Sequence, residues 1–136
     1  MTFVPKSGRW SNVKMPTKAS VTYTAGMFLY NDGTDNVITV AAAQLNMLGI
    51  ANEAKDNDAN TTSISVRVPQ SIGCTFLGDM VSGETLSKGN EGDVFDFAAG
   101  GLTISTTSTY DVVQLVRYVS TTQGIFRLNQ TTGIEN

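Results

Sequence analysis

Apolar and polar residues alternate along much of this chain with a period of two, the spacing that puts successive side chains on opposite faces of a β-strand. Thr61–Val68 (TTSISVRV) is the clearest case, with Ile64, Val66 and Val68 on one face and Ser65 and Arg67 on the other, and Pro69 ends it. Val21–Thr24 alternates in the same way, Gly26 interrupts, and Met27–Tyr30 is a short apolar run. Asn31-Asp32-Gly33 is a turn signal, after which Asn36–Val40 resumes the alternation. Ala41–Leu48 has helix-forming composition but is short enough to continue as strand, and Gly49–Ala54 is a further candidate strand. Lys55–Asn60 (KDNDAN) reads as a charged loop.

Ile72–Leu77 gives the next strand, and Gly78–Gly92, with four glycines and three acids, reads as a long connection. Asp93–Phe97 and Leu102–Ser105 flank Ala98-Ala99-Gly100-Gly101 as a candidate hairpin. Val112–Val119 is apolar enough for a central strand, Gly124–Leu128 closes the set, and TTGIEN reads as a fraying end. Many short strands with frequent turn signals and little helix predict an all-β, single-domain β-barrel or β-sandwich.

The first twenty residues predict an extended arm (1–20) ahead of a body (21–136). Pro5 and Pro16 forbid a continuous helix, and Ser7, Gly8, Ser11 and Asn12 break any regular pattern. Lys6, Arg9, Lys14 and Lys18 all precede the first acidic residue, Asp32, so this segment carries +4 on a chain of net −3 and leaves −7 on the rest. A basic arm on an acidic body is suited to docking on something negative; its other reading is a first strand with cations turned to water. Phe3 and Trp10, the only Trp, are the apolar anchors such an arm would insert, into a pocket of its own domain or of a neighbour. The expected partner-binding set is Phe3, Lys6, Arg9, Trp10, Lys14 and Lys18. A detachable arm further predicts that removing residues 1–18 leaves the body folded.

Composition narrows the function classes. Thr, Val and Gly dominate, and charged residues are only 15% of the chain, against roughly 25% in typical globular domains. There is no His, which removes the usual general base, zinc ligand and pH switch together. Cys74 stands alone, so no intrachain disulfide forms, and its place within Ile72–Leu77 reads as a small buried apolar residue. Neither G-x-x-x-x-G-K-[ST] nor G-x-G-x-x-G occurs. Asp56, Asp58 and Asn60 imitate the start of a calcium loop, but Thr61 and Arg67 stand where Gly and Glu are needed. Asp93 and Asp96, three apart on a strand, point to opposite faces and make a poor catalytic pair. No apolar run approaches the ~20 residues of a membrane-spanning helix, and no secretion signal opens the chain. A non-enzymatic protein made in the cytoplasm is expected, with no cofactor, metal, nucleic acid, membrane or small-molecule substrate.

Two stretches resemble a known family. VTYTAGMFLYNDGTDNVITVAAAQLNMLGIANEA, from Val21 to Ala54, and VSGETLSKGNEGDVFDFAAGGLTIS, with its G-x-x-L … G-x-x-F-D spacing, are similar to segments of small head proteins of tailed bacteriophages, the capsid decoration (cement) proteins above all. The likeness spans about two thirds of the chain and consists of Gly and apolar spacing, so no functional residue is carried over. The resemblance implies a structural protein on the outer capsid surface of a virion that bridges neighbouring subunits of the major capsid protein, commonly as a homotrimer. Two alternatives stand beside it. One is another virion component, such as a minor capsid, tail-tube or head-fibre base subunit. The other is a carbohydrate-binding sandwich using Tyr23, Tyr30, Tyr110 and Tyr118.

Overall fold

The computed structural model describes residues 3–18, 21–31, 37–39, 47–57, 63–71, 73–98, 100–108 and 111–129, with the side chains of 31, 37–39, 47, 48, 56 and 57 left aside. The fold is all-β. Its strands are β1 (Val4–Ser7), β2 (Trp10–Pro16), β3 (Val21–Tyr23), β4 (Phe28–Asn31), β5 (Val37–Thr39), β6 (Met47–Ala51), β7 (Lys55–Asn57), β8 (Ser63–Pro69), β9 (Thr75–Asp79), β10 (Val94–Phe97), β11 (Ile104–Ser105), β12 (Val113–Ser120) and β13 (Gln123–Leu128). A single 3-10 turn at Lys88–Asn90 interrupts them. Sheet I has the order β1-β9-β13-β12-β10-β11, sheet II the order β2-β8-β6-β4-β5, and β3 pairs with β7 as a ribbon. Every pairing between these strands is antiparallel.

The inner faces of the two sheets meet in an aromatic core. Phe28 of sheet II lies 5.3 Å from Phe76 and 4.8 Å from Phe97, both of sheet I, between ring centroids. Phe3, Phe95, Phe126, Leu115 and Ile50 join this cluster, and all are buried. A second cluster, with Tyr23, Leu29, Ala51, Ile64 and Val66, lies on the opposite side of sheet II, between it and the β3–β7 ribbon. Adjacent residues of β4, Phe28 and Leu29, are therefore both fully buried. That accounts for the continuous apolar run at Met27–Tyr30: a strand covered on both faces does not alternate.

Residues 3–18 are extended, as the sequence predicts, but they do not stand apart from the body. β1 pairs with β9 in sheet I, and β2 pairs with β8 along its whole length in sheet II. The two partner segments cross from one sheet to the other side by side, bending at Gly8 on one and near Cys74 on the other. At the bend the Arg9 carbonyl accepts hydrogen bonds from the Gln70 amide (2.9 Å) and the Cys74 thiol (3.2 Å). Gly8 has φ +88°, and a Cβ there would sit 2.8 Å from the Cys74 Cα. Phe3 is 2% exposed and wedged against Phe28, Phe76 and Phe97. Removing residues 1–18 would strip an edge strand from each sheet and a ring from the core, so the expectation of a detachable arm is corrected.

Other differences are local. Lys55–Asn57 is strand, not loop, because a ribbon lying over sheet II can be polar and still pair its backbone. Asp58, Asn60 and Thr61 of the calcium-like stretch, and TTGIEN, lie outside the described residues. β9 extends through Asp79 into the expected connection. The β10–β11 hairpin forms with Asp96 opposite Ser105.

Candidate functional site

Sheet I has one face in the core, and among the described residues no element covers the other face where it spans β1, β9, β13 and β12. On that outer face Val4 is opposite Leu77, Leu77 is opposite Ile125, and Ile125 is opposite Arg117, which makes one transverse row over β1, β9, β13 and β12. The row should be half polar on an ordinary solvated sheet, yet three of its four members are aliphatic. Around it lies an open depression of about 530 Å³ lined by Lys6, Ser7, Thr75, Leu77, Val116, Arg117, Val119, Gln123 and Ile125.

Three irregularities of register shape this depression. β9 advances one residue, from Phe76 to Thr75, while β1 advances two, from Pro5 to Ser7, so Lys6 is an extra residue. β13 likewise advances one residue while β12 passes from Leu115 to Arg117, and again from Tyr118 to Ser120, so Val116 and Val119 are extra. A bulge leaves its added residue unpaired and re-aims its side chain. Here all three added residues line the same depression. Val116 and Val119 are 44% and 45% exposed, the most exposed large apolar residues described.

Charge completes the picture. Lys6 and Arg117 flank the aliphatic floor, and among the described residues neither has an ion-pair partner. Arg127 lies farther along β13 on the same face, its Nε donating to Gln114 Oε1 at 2.7 Å. The outer face thus gathers cations on an acidic chain, with Asp79 the one acid on the paired stretch of β9.

The six sequence-predicted partner residues are not brought together. Phe3 belongs to the core and is withdrawn from any outward role. Lys6 lines the depression. Arg9 is exposed at the bend. Trp10 is half-buried, edge-on to Phe76 at 6.4 Å, with its Nε1 donating to the Ser7 carbonyl at 3.1 Å. Lys14 is on the edge of sheet II, 3.8 Å from Glu53. Lys18 is exposed, and its backbone amide donates to the Tyr23 hydroxyl at 3.0 Å. Of the sugar-binding tyrosine candidates, Tyr23 is buried, Tyr30 and Tyr118 pack against the core, and Tyr110 lies outside the described residues.

The sequence reading missed Leu77, Val116, Arg117, Val119 and Ile125. One signal was available: VQLVRYV has more apolar residues than one buried strand face can take.

The remaining carboxylates have structural settings. Asp96 is buried and accepts from the Asp111 amide (2.8 Å) and the Thr107 hydroxyl (3.2 Å). Glu84 accepts the amide and hydroxyl of Thr106, which hold its carboxyl below the ordinary range. Glu53 is lowered chiefly by the Ser65 amide, with Lys14 and Lys55 adding to it and partial desolvation opposing. No group of three or more acidic or Cys side chains suited to a metal occurs among the described residues.

Comparison with known proteins gives one informative result. No family model and no curated protein matches the sequence. The fold is similar to that of a solved structure, the N base of the head fiber protein gp8.5 of bacteriophage phi29, with a TM-score of 0.55 at 16% sequence identity, covering 93% of this chain and 100% of that one.

Proposed function

We propose that this chain is a structural subunit of a bacteriophage virion, seated on the outer surface of the head and acting through protein–protein contact rather than catalysis. The observation that carries the reading is the match of fold with a phage head-fibre base over 93% of this chain and 100% of that one. The phage-head resemblance of Val21–Ala54 and of the GDVFDF region supports it from the sequence side.

On this reading the major capsid protein is the partner, and the subunit engages neighbouring capsid subunits, repeated as a homotrimer by the symmetry of the shell. Binding that favours the assembled shell over its free subunits stabilises the shell by linkage. Between a cement subunit and the base of a projecting fibre, the solved neighbour favours the base.

Co-sedimentation with empty heads, followed by negative-stain imaging, tests the reading. The purified chain should pellet with heads, saturably, and add density to their outer surface. A chain that stays in the supernatant at every concentration, or that decorates tails instead of heads, overturns it.

A further inference from the structure

We infer that the outer face of sheet I is the docking surface, and that its occupant is an extended protein segment whose aliphatic side chains are flanked, on the same face, by carboxylates. The inference deepens the protein-contact reading above, on which it rests. Three observations meet at one place: an aliphatic row over four strands, three bulges whose added residues Lys6, Val116 and Val119 all turn into the depression, and two cations on its rim without ion-pair partners among the described residues. Bulges concentrate where a sheet re-aims side chains for use. The floor asks for apolar side chains, and Lys6 and Arg117 ask for carboxylates spaced to either side. A depression of about 530 Å³ admits two or three side chains of an extended chain, not the face of a helix.

The other faces of the strands are accounted for. Sheet II is covered on one side by sheet I and on the other by the β3–β7 ribbon. Among the described residues the exposed large aliphatics gather on sheet I (Val4, Val116 and Val119), with Val13 of β2 standing alone on sheet II. A second copy meeting this face through a two-fold axis would set the cationic patch of Lys6, Arg117 and Arg127 against an identical patch, a like-charge contact that opposes the pairing. Nucleic acid is served poorly, since the floor offers aliphatic groups where bases need stacking rings.

The test is an amide-shift titration of the full chain with two capped synthetic peptides, Asp-Thr-Val-Thr-Ile-Thr-Asp and Lys-Thr-Val-Thr-Ile-Thr-Lys, whose charged ends share a face with Val and Ile, and with a single-stranded DNA 12-mer. The acidic peptide should shift amides of β1, β9, β12 and β13 saturably, at a Kd on the order of tens of millimolar, at least tenfold tighter than the basic one. Lys6→Glu combined with Arg117→Glu, both at exposed positions, should reverse that preference while leaving the thermal midpoint within a few degrees. Equal response to both peptides, shifts elsewhere on the fold, tighter binding of DNA, or concentration-dependent self-association through the same residues would each overturn the inference. Head co-sedimentation separates the two levels. If the wild-type and doubly reversed chains pellet alike, this face is wrong and the virion reading survives. If the acidic peptide binds as expected and the wild-type chain ignores heads, the reverse holds.

Discussion

Replacing Phe3 by Ala tests most directly how the N-terminal segment is used. The ring is 2% exposed and sits edge-on to Phe28, Phe76 and Phe97 at centroid distances of 5.7, 5.5 and 5.4 Å. It also covers Gly78, where a Cβ would come within 2.8 Å of its Cε1, so nothing beneath can move up to fill the gap. Truncating a core Phe costs about 3–5 kcal/mol, and three ring contacts in a site that cannot collapse argue for the upper half, about 4 kcal/mol. That is a large share of the roughly 5–15 kcal/mol that holds a domain together. The assay is urea unfolding followed by the fluorescence of Trp10, which packs on Phe76 and reports the same core. With a slope of about 1.5 kcal/mol per molar, the midpoint should fall by roughly 2–3 M. Val4→Ala, one residue away but 41% exposed, is the control and should change stability by less than about 0.5 kcal/mol. If Phe3→Ala unfolds at the same urea concentration as the Val4 control, the segment is a free arm after all and the core described above is wrong.

Two further outcomes follow from other parts of the fold. Gly8→Ala forces a side chain into a left-handed backbone at φ +88° and against the Cys74 backbone, so it should lower unfolding free energy by about 2 kcal/mol or more; an unchanged denaturation curve would show the bend to be relaxed. Glu84 has its folded pKa below the ordinary 4.5, so its contribution is complete above pH 4.5 and is lost as pH falls through the folded value. Thermal midpoints scanned from pH 6 to pH 3 should therefore decline more steeply in the wild type than in Glu84→Gln, and parallel curves would discount the Thr106 clamp.

How much was legible depends on what each signal physically reports. Alternation reports one buried face, and it located β8 and the β10–β11 pair closely. An unbroken apolar run reports burial on both faces, which is how β4 is used. The N-terminal segment was misjudged because Pro5, Lys6, Lys14 and Pro16 are what a loose arm carries and also what an edge strand carries to block unwanted pairing. Both β1 and β2 are edges. In KDN, polarity said nothing about backbone pairing. The docking face showed only as the apolar excess of VQLVRYV, and its shape was hidden for a different reason. An extra residue in one strand is defined only against its partner, so the bulges at Lys6, Val116 and Val119 have no signature in the chain itself.

The size of that face bears on what kind of partner it can serve. Leu77, Ile125, Val116 and Val119 are each already partly shielded, so covering them completely yields about 1 kcal/mol apiece, about 4 kcal/mol in all. Two rim cations add a few tenths to about 1 kcal/mol each where water still reaches them. The lost freedom of association costs about 4 kcal/mol or more, so a single contact of this kind barely holds. Contacts of that strength become durable when several copies engage a fixed array together, because each bound copy raises the effective concentration of the next. A shallow aliphatic face with two cations is therefore poorly matched to a lone soluble partner and well matched to a repeating surface. The proposed site and the proposed virion role are joined at that point by affinity, not by resemblance.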